Sequence, residues 1–370
     1  PDDLTPAPIH NRAPDVAAID ALAERLSKAR RPLLWLGGGA RGAAESAVRL
    51  VGLGMGAVTS VQGRGIIPET DPRSLAAYHL HTPVEAFYRS CDAMLVVGSH
   101  LRSNETLKYQ LALPKPLFRI DIDPAKANHP YTADGFIEGN ADEALAMLVD
   151  RLQGRLRIDP SFHADLKQAR TASEAIVRNG LGPYATMIDG LQAAVGASFL
   201  WVRGITISNS TWGNRAPRLT RPYDGVHATG GGIGQGLQMA IGAALAGTGK
   251  KTFCLTGDGG LVVNIGEIAT LVEQEADVVL MVMNDKGYGV IKNIQDAHYG
   301  GRRYFADLHT PDFALLARSV GLAYMNIRSA SQFTPVITEA AHMRGPVMVE
   351  VDMTAIGPFA TAFAGPPARK

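Results

Sequence analysis

The chain has 370 residues, of which 46% are apolar and 19% charged, as expected for a globular protein with more than one core. Lys and Arg (36 residues) nearly balance Asp and Glu (35), so no basic surface for nucleic acid or an anionic membrane is expected. No apolar run reaches transmembrane length, and Cys91 and Cys254 lie in apolar stretches that favour buried free thiols in a reducing, cytoplasmic compartment.

The first 155 residues predict a linker and then an α/β domain. Residues 1–13 are rich in proline and resemble a linker, so the natural protein is expected to begin earlier. Strands are expected over 31–36, 57–61, 93–98 and 116–122. Helices are expected over 14–29, up to Leu53 after a glycine turn at Gly37–Gly39, and over 141–152. This alternation predicts a Rossmann-like, doubly wound α/β domain over 14–155.

A polar, helical connector over 156–182 leads into a second α/β domain, expected over 183–370. Its helices are expected over 183–196, 230–246, 264–274 and 311–320. Its strands are expected over 199–208, 252–256, 278–283 and 347–351. The fold class predicted for the chain is therefore α/β, with two doubly wound parallel-sheet domains in series.

The strongest chemical signal is the segment Gly257-Asp258-Gly259-Gly260, which follows a predicted strand. A GDG triplet is common by itself, but here one helix and one strand follow it and lead to Asn284-Asp285. Such a connection returns the chain beside the first strand, so Asp285 is expected next to Asp258 at the carboxyl edge of the sheet. Two neighbouring carboxylates suit a hard cation such as Mg²⁺, and the N–H groups of Gly259 and Gly260 can face an anionic ligand.

This GDG triplet, with an asparagine-containing pair 24 residues later, resembles the signature of thiamine diphosphate (ThDP) dependent enzymes. The whole chain is similar to the middle and C-terminal domains of the acetolactate synthase and benzoylformate decarboxylase superfamily. The similarity extends to residues 33–39, 120–124, 230–234 and 311–321. It implies that Asp258, Asp285 and the backbone carbonyl of Gly287 bind Mg²⁺. The family has asparagine at the position of Asp285, and Asn284 is the alternative ligand.

Other segments resemble further parts of the family's cofactor site. Ser210 and Thr211 would bind the diphosphate, although such residues also cap helices. Ile233 would wedge between the two cofactor rings, and the carbonyl of Gly231 would accept a hydrogen bond from the 4′-amino group. The alternative for this glycine-rich segment is plain helix packing. The resemblance implies cofactor contacts from Ser210, Thr211, Gly231, Gly232, Ile233, Asp258, Gly259, Gly260, Asp285, Gly287, Tyr288, Gly289 and Val290.

The segment from Tyr288 to Lys292 resembles the start of the helix that walls the family's substrate pocket. Val290 and Ile291 would form an apolar wall for an aliphatic or modest aromatic side chain. Lys292 is expected to be solvated rather than catalytic. In the middle domain, Ser99–Asn104 departs from the matching segment of flavin-binding acetolactate synthases, so FAD there is an alternative that the sequence does not favour.

The resemblance implies decarboxylation of a 2-oxo acid, followed by aldehyde release or by ligation to a second carbonyl compound. A simple decarboxylase of the benzoylformate or guanidino-oxo acid type, and a non-catalytic ThDP- or nucleotide-binding subunit, stay open as alternatives. In the family, the catalytic glutamate lies on an N-terminal domain of a neighbouring subunit. A missing N-terminal domain or companion chain, within a homodimer or homotetramer, is therefore expected to complete the site.

Overall fold

The computed structural model describes residues 12–365, which form two compact units. The first unit comprises the residues up to Ile67 together with Asp71–Arg170. The second comprises Pro68–Thr70 and the residues from Thr171 onward. The change from one unit to the other falls inside a long helix, Phe162–Leu181, within the segment expected to be a connector.

The first unit contains a five-stranded parallel sheet. Its strands are β1 (Pro32–Leu36), β2 (Gly56–Thr59), β3 (Ala93–Val97), β4 (Leu117–Asp121) and β5 (Gly135–Glu138), in the spatial order β2-β1-β3-β4-β5. The helices are α1 (Val16–Leu26), α2 (Ala44–Gly52), α3 (Thr82–Tyr88), α4 (Ala141–Leu152) and α5 (Phe162–Leu181). The strands β1, β3 and β4 are buried along their whole length, as parallel strands covered on both faces require.

The second unit contains a six-stranded parallel sheet. Its strands are β6 (Phe199–Arg203), β7 (Gly225–His227), β8 (Lys251–Gly257), β9 (Val278–Asn284), β10 (Ala323–Ile327) and β11 (Val347–Asp352). The helices are α6 (Ala185–Val195), α7 (Gly236–Leu245), α8 (Asp258–Val263), α9 (Glu267–Glu273), α10 (Gly289–His298), α11 (Phe313–Ser319), α12 (Ala330–His342) and α13 (Met353–Ile356). Two apolar clusters, one containing Trp201, Phe253 and Met281 and the other Val202, Cys254 and Leu280, use alternate residues of the same strands and so cover the two faces of the sheet.

The strand order of the second sheet is β10-β11-β9-β8-β6-β7. From β6 the chain first adds β7 on one side and then crosses to β8 on the other, so the order reverses between β6 and β8. Open α/β sheets bind ligands beyond the carboxyl ends of the strands at such a reversal. The fold thus marks the ends of β6 and β8 as the place for a site, and the prediction of two doubly wound α/β domains is confirmed.

Two predicted elements depart furthest from the observed bounds. The strand expected over 199–208 ends at Arg203, because the chain leaves the sheet at Gly204 and then forms a π-helical turn over Asn209–Gly213. The helix expected from Gly230 begins at Gly236. Gly230, Gly231 and Gly234 have φ angles of +77°, +78° and +85°, which belong to a loop and not to a right-handed helix.

Both cysteines are buried free thiols, as predicted, and burial raises the pKa of each to about 12. Within residues 12–365, no helix combines the length and the apolar character needed to cross a lipid bilayer.

Candidate functional site

A cavity of about 290 Å³ opens where β6, β8 and β9 end, at the reversal of strand order. Among the described residues, its lining combines the backbone of several glycines with apolar side chains and one carboxylate, that of Asp285. It is lined by Ile205, Thr206, Ile207, Ser210, Ile233, Gly257, Gly259, Gly260, Asp285, Gly287, Tyr288, Gly289, Val290, Ile291, Ile294, Phe363 and Gly365. Most of the residues predicted as cofactor contacts therefore surround one space.

Asp258 lies beneath this cavity as the first residue of α8 and is fully buried. Its Oδ2 accepts a hydrogen bond from the backbone N–H of Gly287, with a donor–acceptor distance of 2.9 Å. Its Oδ1 is buried and has no hydrogen-bond partner among the described residues. Burial raises the pKa of the Asp258 carboxyl above its usual value. A buried carboxylate oxygen without a donor is costly, and a cation is the kind of group that would satisfy it.

Asp285 follows β9 directly, and its side chain contacts that of Asp258. Burial, and next the negative charge of Asp258, raise the pKa of Asp285 to about 7. A cation bound beside the two buried carboxyls would favour the charged form of each.

The neighbouring Asn284 is bonded to Glu350 and to the backbone of Lys286. Its Nδ2 donates to Oε1 of Glu350 on β11 at 2.7 Å, and its Oδ1 accepts from the backbone N–H of Lys286 at 3.1 Å. Because both ends of this amide are bonded away from Asp258, the geometry favours Asp285 over Asn284 as a ligand.

Glycine is required at three positions around the two acids. A Cβ atom at Gly259 would lie 2.7 Å from the ring of Tyr288, and one at Gly289 would overlap Oδ2 of Asp285. A Cβ atom at Gly287 would overlap the carbonyl oxygen of Ala306. A side chain larger than hydrogen would therefore displace the Asp285 carboxylate at position 289, and the neighbouring Tyr288 ring or Ala306 backbone at positions 259 and 287.

The donor set fits a hard divalent cation. Mg²⁺ prefers carboxylate and carbonyl oxygens and is commonly held by one or two carboxylates together with phosphate oxygens. Asp258, Asp285 and the carbonyl of Gly287 offer such a set. Within residues 12–365 no group of three or more His, Cys, Asp or Glu could hold a metal, so a metal here would depend on backbone and ligand oxygens as well.

Ile233 lines the cavity and is 43% exposed, so its side chain is not packed into a helix core. The loop that carries Ile233 is held by a hydrogen bond from Nδ2 of Asn264 to the carbonyl of Gly234, at 2.9 Å. Gly231 and Gly232 belong to this loop but are not among the residues that line the cavity. Asn264 was missed from the sequence, because a loop contact 30 residues away has no local pattern.

The hydroxyl residues after β6 divide into two kinds. Ser210 lines the cavity, whereas the hydroxyl of Thr211 donates to the backbone carbonyls of Ile207 at 3.0 Å and Ser208 at 3.1 Å. Thr211 thus bonds to its own turn, as such residues often do. Thr206, which sequence reasoning missed, lines the cavity instead. No local pattern shows that β6 ends at Arg203, so the sequence alone did not place Thr206 at the carboxyl edge of the sheet.

One wall of the cavity is apolar. Val290, Ile291 and Ile294 come from α10, and Phe363 comes from the C-terminal segment. The helix wall agrees with the expected position of Val290 and Ile291, while the contribution of Phe363 was not foreseen, because no periodic pattern marks that segment. The wall suits a ligand with an apolar side chain.

In the first unit, the glycine turn after β1 packs against the loop that follows β3. A Cβ atom at Gly39 would lie 3.0 Å from Cα of Gly98, and one at Gly37 would overlap the backbone of Gly98 and Ser99. The backbone of Gly37 and Gly39 also donates to carbonyls of Val97 and Gly98. Close packing of the loops after β1 and β3 is therefore sufficient reason for glycine at these two positions.

The chain matches two domains of one enzyme family. Residues 206–351 match the thiamine pyrophosphate enzyme, C-terminal TPP binding domain, and residues 19–148 match the thiamine pyrophosphate enzyme, central domain. The chain belongs to the thiamine pyrophosphate (ThDP) enzyme family, and its second unit carries the family's cofactor-binding domain.

Curated relatives resemble the chain along most of its length. It is 29% identical over 343 residues to the probable 2-ketoarginine decarboxylase AruI of Pseudomonas aeruginosa. It is 26% identical over 343 residues to the large subunit of acetolactate synthase isozyme 1 of Escherichia coli K12, and 27% over 355 residues to that of isozyme 3. These matches cover 90% of the chain and 60 to 61% of each relative, so the chain spans about three fifths of their length.

Proposed function

We propose that this chain is the cofactor-binding part of an enzyme that uses ThDP and Mg²⁺ to decarboxylate a 2-oxo acid, with ligation to a second carbonyl compound as a further outcome. The observation that carries the proposal is buried Asp258, whose Oδ1 lacks a hydrogen-bond donor beside the carboxylate of Asp285. When bound, the cofactor supplies an electron sink for the carbanion left by decarboxylation.

The protein's own part in this reaction is to bind, orient and exclude water. Asp258, Asp285 and the carbonyl of Gly287 would hold Mg²⁺. The N–H groups of Gly259 and Gly260, at the start of α8, would face the diphosphate, because the first N–H groups of a helix have no partner within it. Ile233 would contact the cofactor, and the apolar wall of α10 would keep water from the reacting carbons.

The lining of the cavity favours a substrate with an apolar side chain. Val290, Ile291, Ile294 and Phe363 are apolar, and Asp285 is the only acid among the described residues that line it. A guanidinium side chain, as in the substrate that the name of AruI implies, needs a carboxylate partner that this lining does not offer beyond the proposed metal ligand. An aliphatic or modest aromatic 2-oxo acid is therefore the substrate class we propose.

We further propose that a companion domain or second subunit completes the site by supplying a glutamate. No glutamate occurs among the described residues that line the cavity. Large side chains beside it are exposed: Ile291 by 43%, and Tyr299 and Tyr304, which line an adjoining pocket with Ile291, by 56% and 68%. Exposed apolar side chains that adjoin a cavity are typical of an interaction surface.

Replacing Asp258 by Asn tests the proposal. The unaltered protein should bind ThDP in calorimetry with Mg²⁺ present and lose that binding in EDTA. Asp258→Asn should weaken Mg²⁺-dependent binding by more than about 100-fold, since loss of an outer-shell partner alone costs about 10- to 100-fold. Asp277→Asn, at the opposite end of the sheet, is the control and should bind normally. Equal affinity in the parent and Asp258→Asn would show the metal assignment to be wrong.

A further inference from the structure

Lys292 lies in the first turn of α10 and folds back under the loop that carries Asp285 and Gly287. Its Nζ donates to the backbone carbonyls of Asp285 at 3.0 Å and Lys286 at 2.9 Å, and it pairs with the carboxylate of Asp307 at 3.1 Å. Its side chain is 14% exposed. The expectation of a solvated Lys292 is wrong, because the ammonium group is bonded to three oxygens at once.

The loop above Lys292 has a conformation that needs such support. Lys286 has a φ angle of +53°, in the left-handed region that residues other than glycine seldom adopt. Its backbone N–H is held by Oδ1 of Asn284 at 3.1 Å, and its carbonyl accepts from both Lys292 and the N–H of Leu308, the latter at 3.1 Å. The turn between Asp285 and Gly287 is thus fixed by bonds from outside itself.

The space beside Gly287 is a second, independent indication that the Lys292 side chain packs against this loop. A Cβ atom at Gly287 would lie 2.5 Å from Nζ of Lys292, so the lysine occupies space that glycine leaves open. The N–H of the same glycine donates to Oδ2 of Asp258. The lysine, the loop and the buried acid therefore pack as one unit.

We propose that Lys292 is a positioning residue that holds the 285–287 loop in the shape required for Mg²⁺. This inference rests on the proposed function. The ammonium group donates to the carbonyls of Asp285 and Lys286 and so keeps both backbone oxygens turned toward itself. This fixes the position of the Asp285 backbone, from which the carboxylate side chain extends. Residues that orient metal ligands through hydrogen bonds contribute to affinity without touching the ion.

The direction in which cation affinity changes when Lys292 is removed distinguishes a positioning role from a purely electrostatic one. If Lys292 acted through its charge alone, its removal would take a positive group away from a cation site and would tighten Mg²⁺ and Ca²⁺ alike. If it shapes the loop, its removal weakens binding. Mg²⁺ should then suffer more than Ca²⁺, because Mg²⁺ demands near-ideal octahedral geometry whereas Ca²⁺ tolerates flexible sites.

The chain offers a matched control in Lys251, at the first residue of β8 and the opposite end of the same sheet. Its Nζ donates to the backbone carbonyls of Met343 at 2.6 Å and Gly345 at 3.4 Å, and it pairs with the carboxylate of Asp277. Its side chain is also 14% exposed. Lys251 therefore makes the same kinds of bonds as Lys292, far from the acids at the carboxyl edge.

The test measures Mg²⁺ and Ca²⁺ affinity by calorimetry at saturating ThDP for the parent, Lys292→Met, Lys292→Arg and Lys251→Met, with thermal unfolding of each. We expect Lys292→Met to lose about 10- to 100-fold in Mg²⁺ affinity and less in Ca²⁺ affinity. Lys292→Arg, which keeps donors for both carbonyls, should recover most of the loss. Lys251→Met should bind both ions like the parent, even if its unfolding temperature falls.

Unchanged or tighter Mg²⁺ binding in Lys292→Met would overturn the inference, and so would an equal loss in Lys251→Met. Should Lys292→Met fail to fold, Asp307→Asn takes its place. Asp307 is largely exposed, and its change removes the ion pair of Lys292, so Mg²⁺ affinity should fall more than Ca²⁺ affinity. An equal fall in both affinities would reflect the lost negative charge alone and would refute the role, as would no loss. A parent protein without Mg²⁺-dependent ThDP binding would instead refute the proposed function itself.

Discussion

Ile233 is the residue whose effect should fall on rate more than on binding. Its side chain lines the cavity, while the residues proposed for the diphosphate lie elsewhere, on α8 and after β6. In the assembled enzyme, Ile233→Ala should reduce kcat on the order of 100-fold, as misplaced reacting groups do, with little change in ThDP affinity. Leu245→Ala, which removes another half-exposed aliphatic side chain, should leave both unchanged. Equal losses of kcat and ThDP affinity in Ile233→Ala would indicate that this side chain only packs against its neighbours.

Asp258 and Asp285 could be predicted as neighbours from the sequence, but their surroundings could not. Each acid follows a strand, and parallel strands bring their carboxyl ends to one edge, so local patterns and spacing suffice to predict the pair. Lys292 and Thr206 escaped prediction for another reason. Their roles depend on where a loop turns and where a strand stops, and neither leaves a periodic pattern in the chain.

At the scale of elements, the strands that are buried along their length are the ones that the sequence pattern predicts. Strands such as β1, β3, β8 and β9 are nearly continuous buried apolar runs and were predicted close to their observed bounds. In contrast, β5 and β10 are largely half-buried and β7 has three residues, so none of them carries a strong pattern. The segment before α7, predicted as helix, is a loop, because its glycines adopt positive φ angles that a right-handed helix does not use.

The start of α10 is fitted against the Asp285 carboxylate. A Cβ atom at Gly289, the first residue of this helix, would overlap Oδ2 of Asp285. Gly289→Ala should therefore displace the carboxylate and weaken Mg²⁺-dependent ThDP binding by about 10- to 100-fold, as disturbed ligand orientation does. The matched control is Gly266→Ala at the N-cap of α9, where no atom lies within 4 Å of a new Cβ. Calorimetry that finds the two variants equal would contradict the fitted start of α10.

At the scale of the whole molecule, two units share one architecture and differ in what they present at the reversal of strand order. In the second unit, that edge carries two contacting acids, glycine turns and a cavity. In the first, the reversal lies between β1 and β3, where Gly37 and Gly39 pack against the Gly98 backbone. The shared fold thus predicts where a ligand could bind, whereas the side chains at each edge decide whether a site exists there.

Hydrogen exchange followed by mass spectrometry tests this difference between the units. With ThDP and Mg²⁺ at about 100 times their dissociation constant, the free energy needed to open the ligand-bound region should rise by about 2.7 kcal/mol. Hydrogen exchange that requires this opening should then slow about 100-fold. Protection should appear at residues 204–210, 257–260 and 284–290, which surround the cavity, and should vanish in EDTA. Residues 37–40, in the turn after β1, should exchange as before. Protection of that turn, with none around Asp258 and Asp285, would favour a nucleotide-binding first unit and contradict the site proposed in the second.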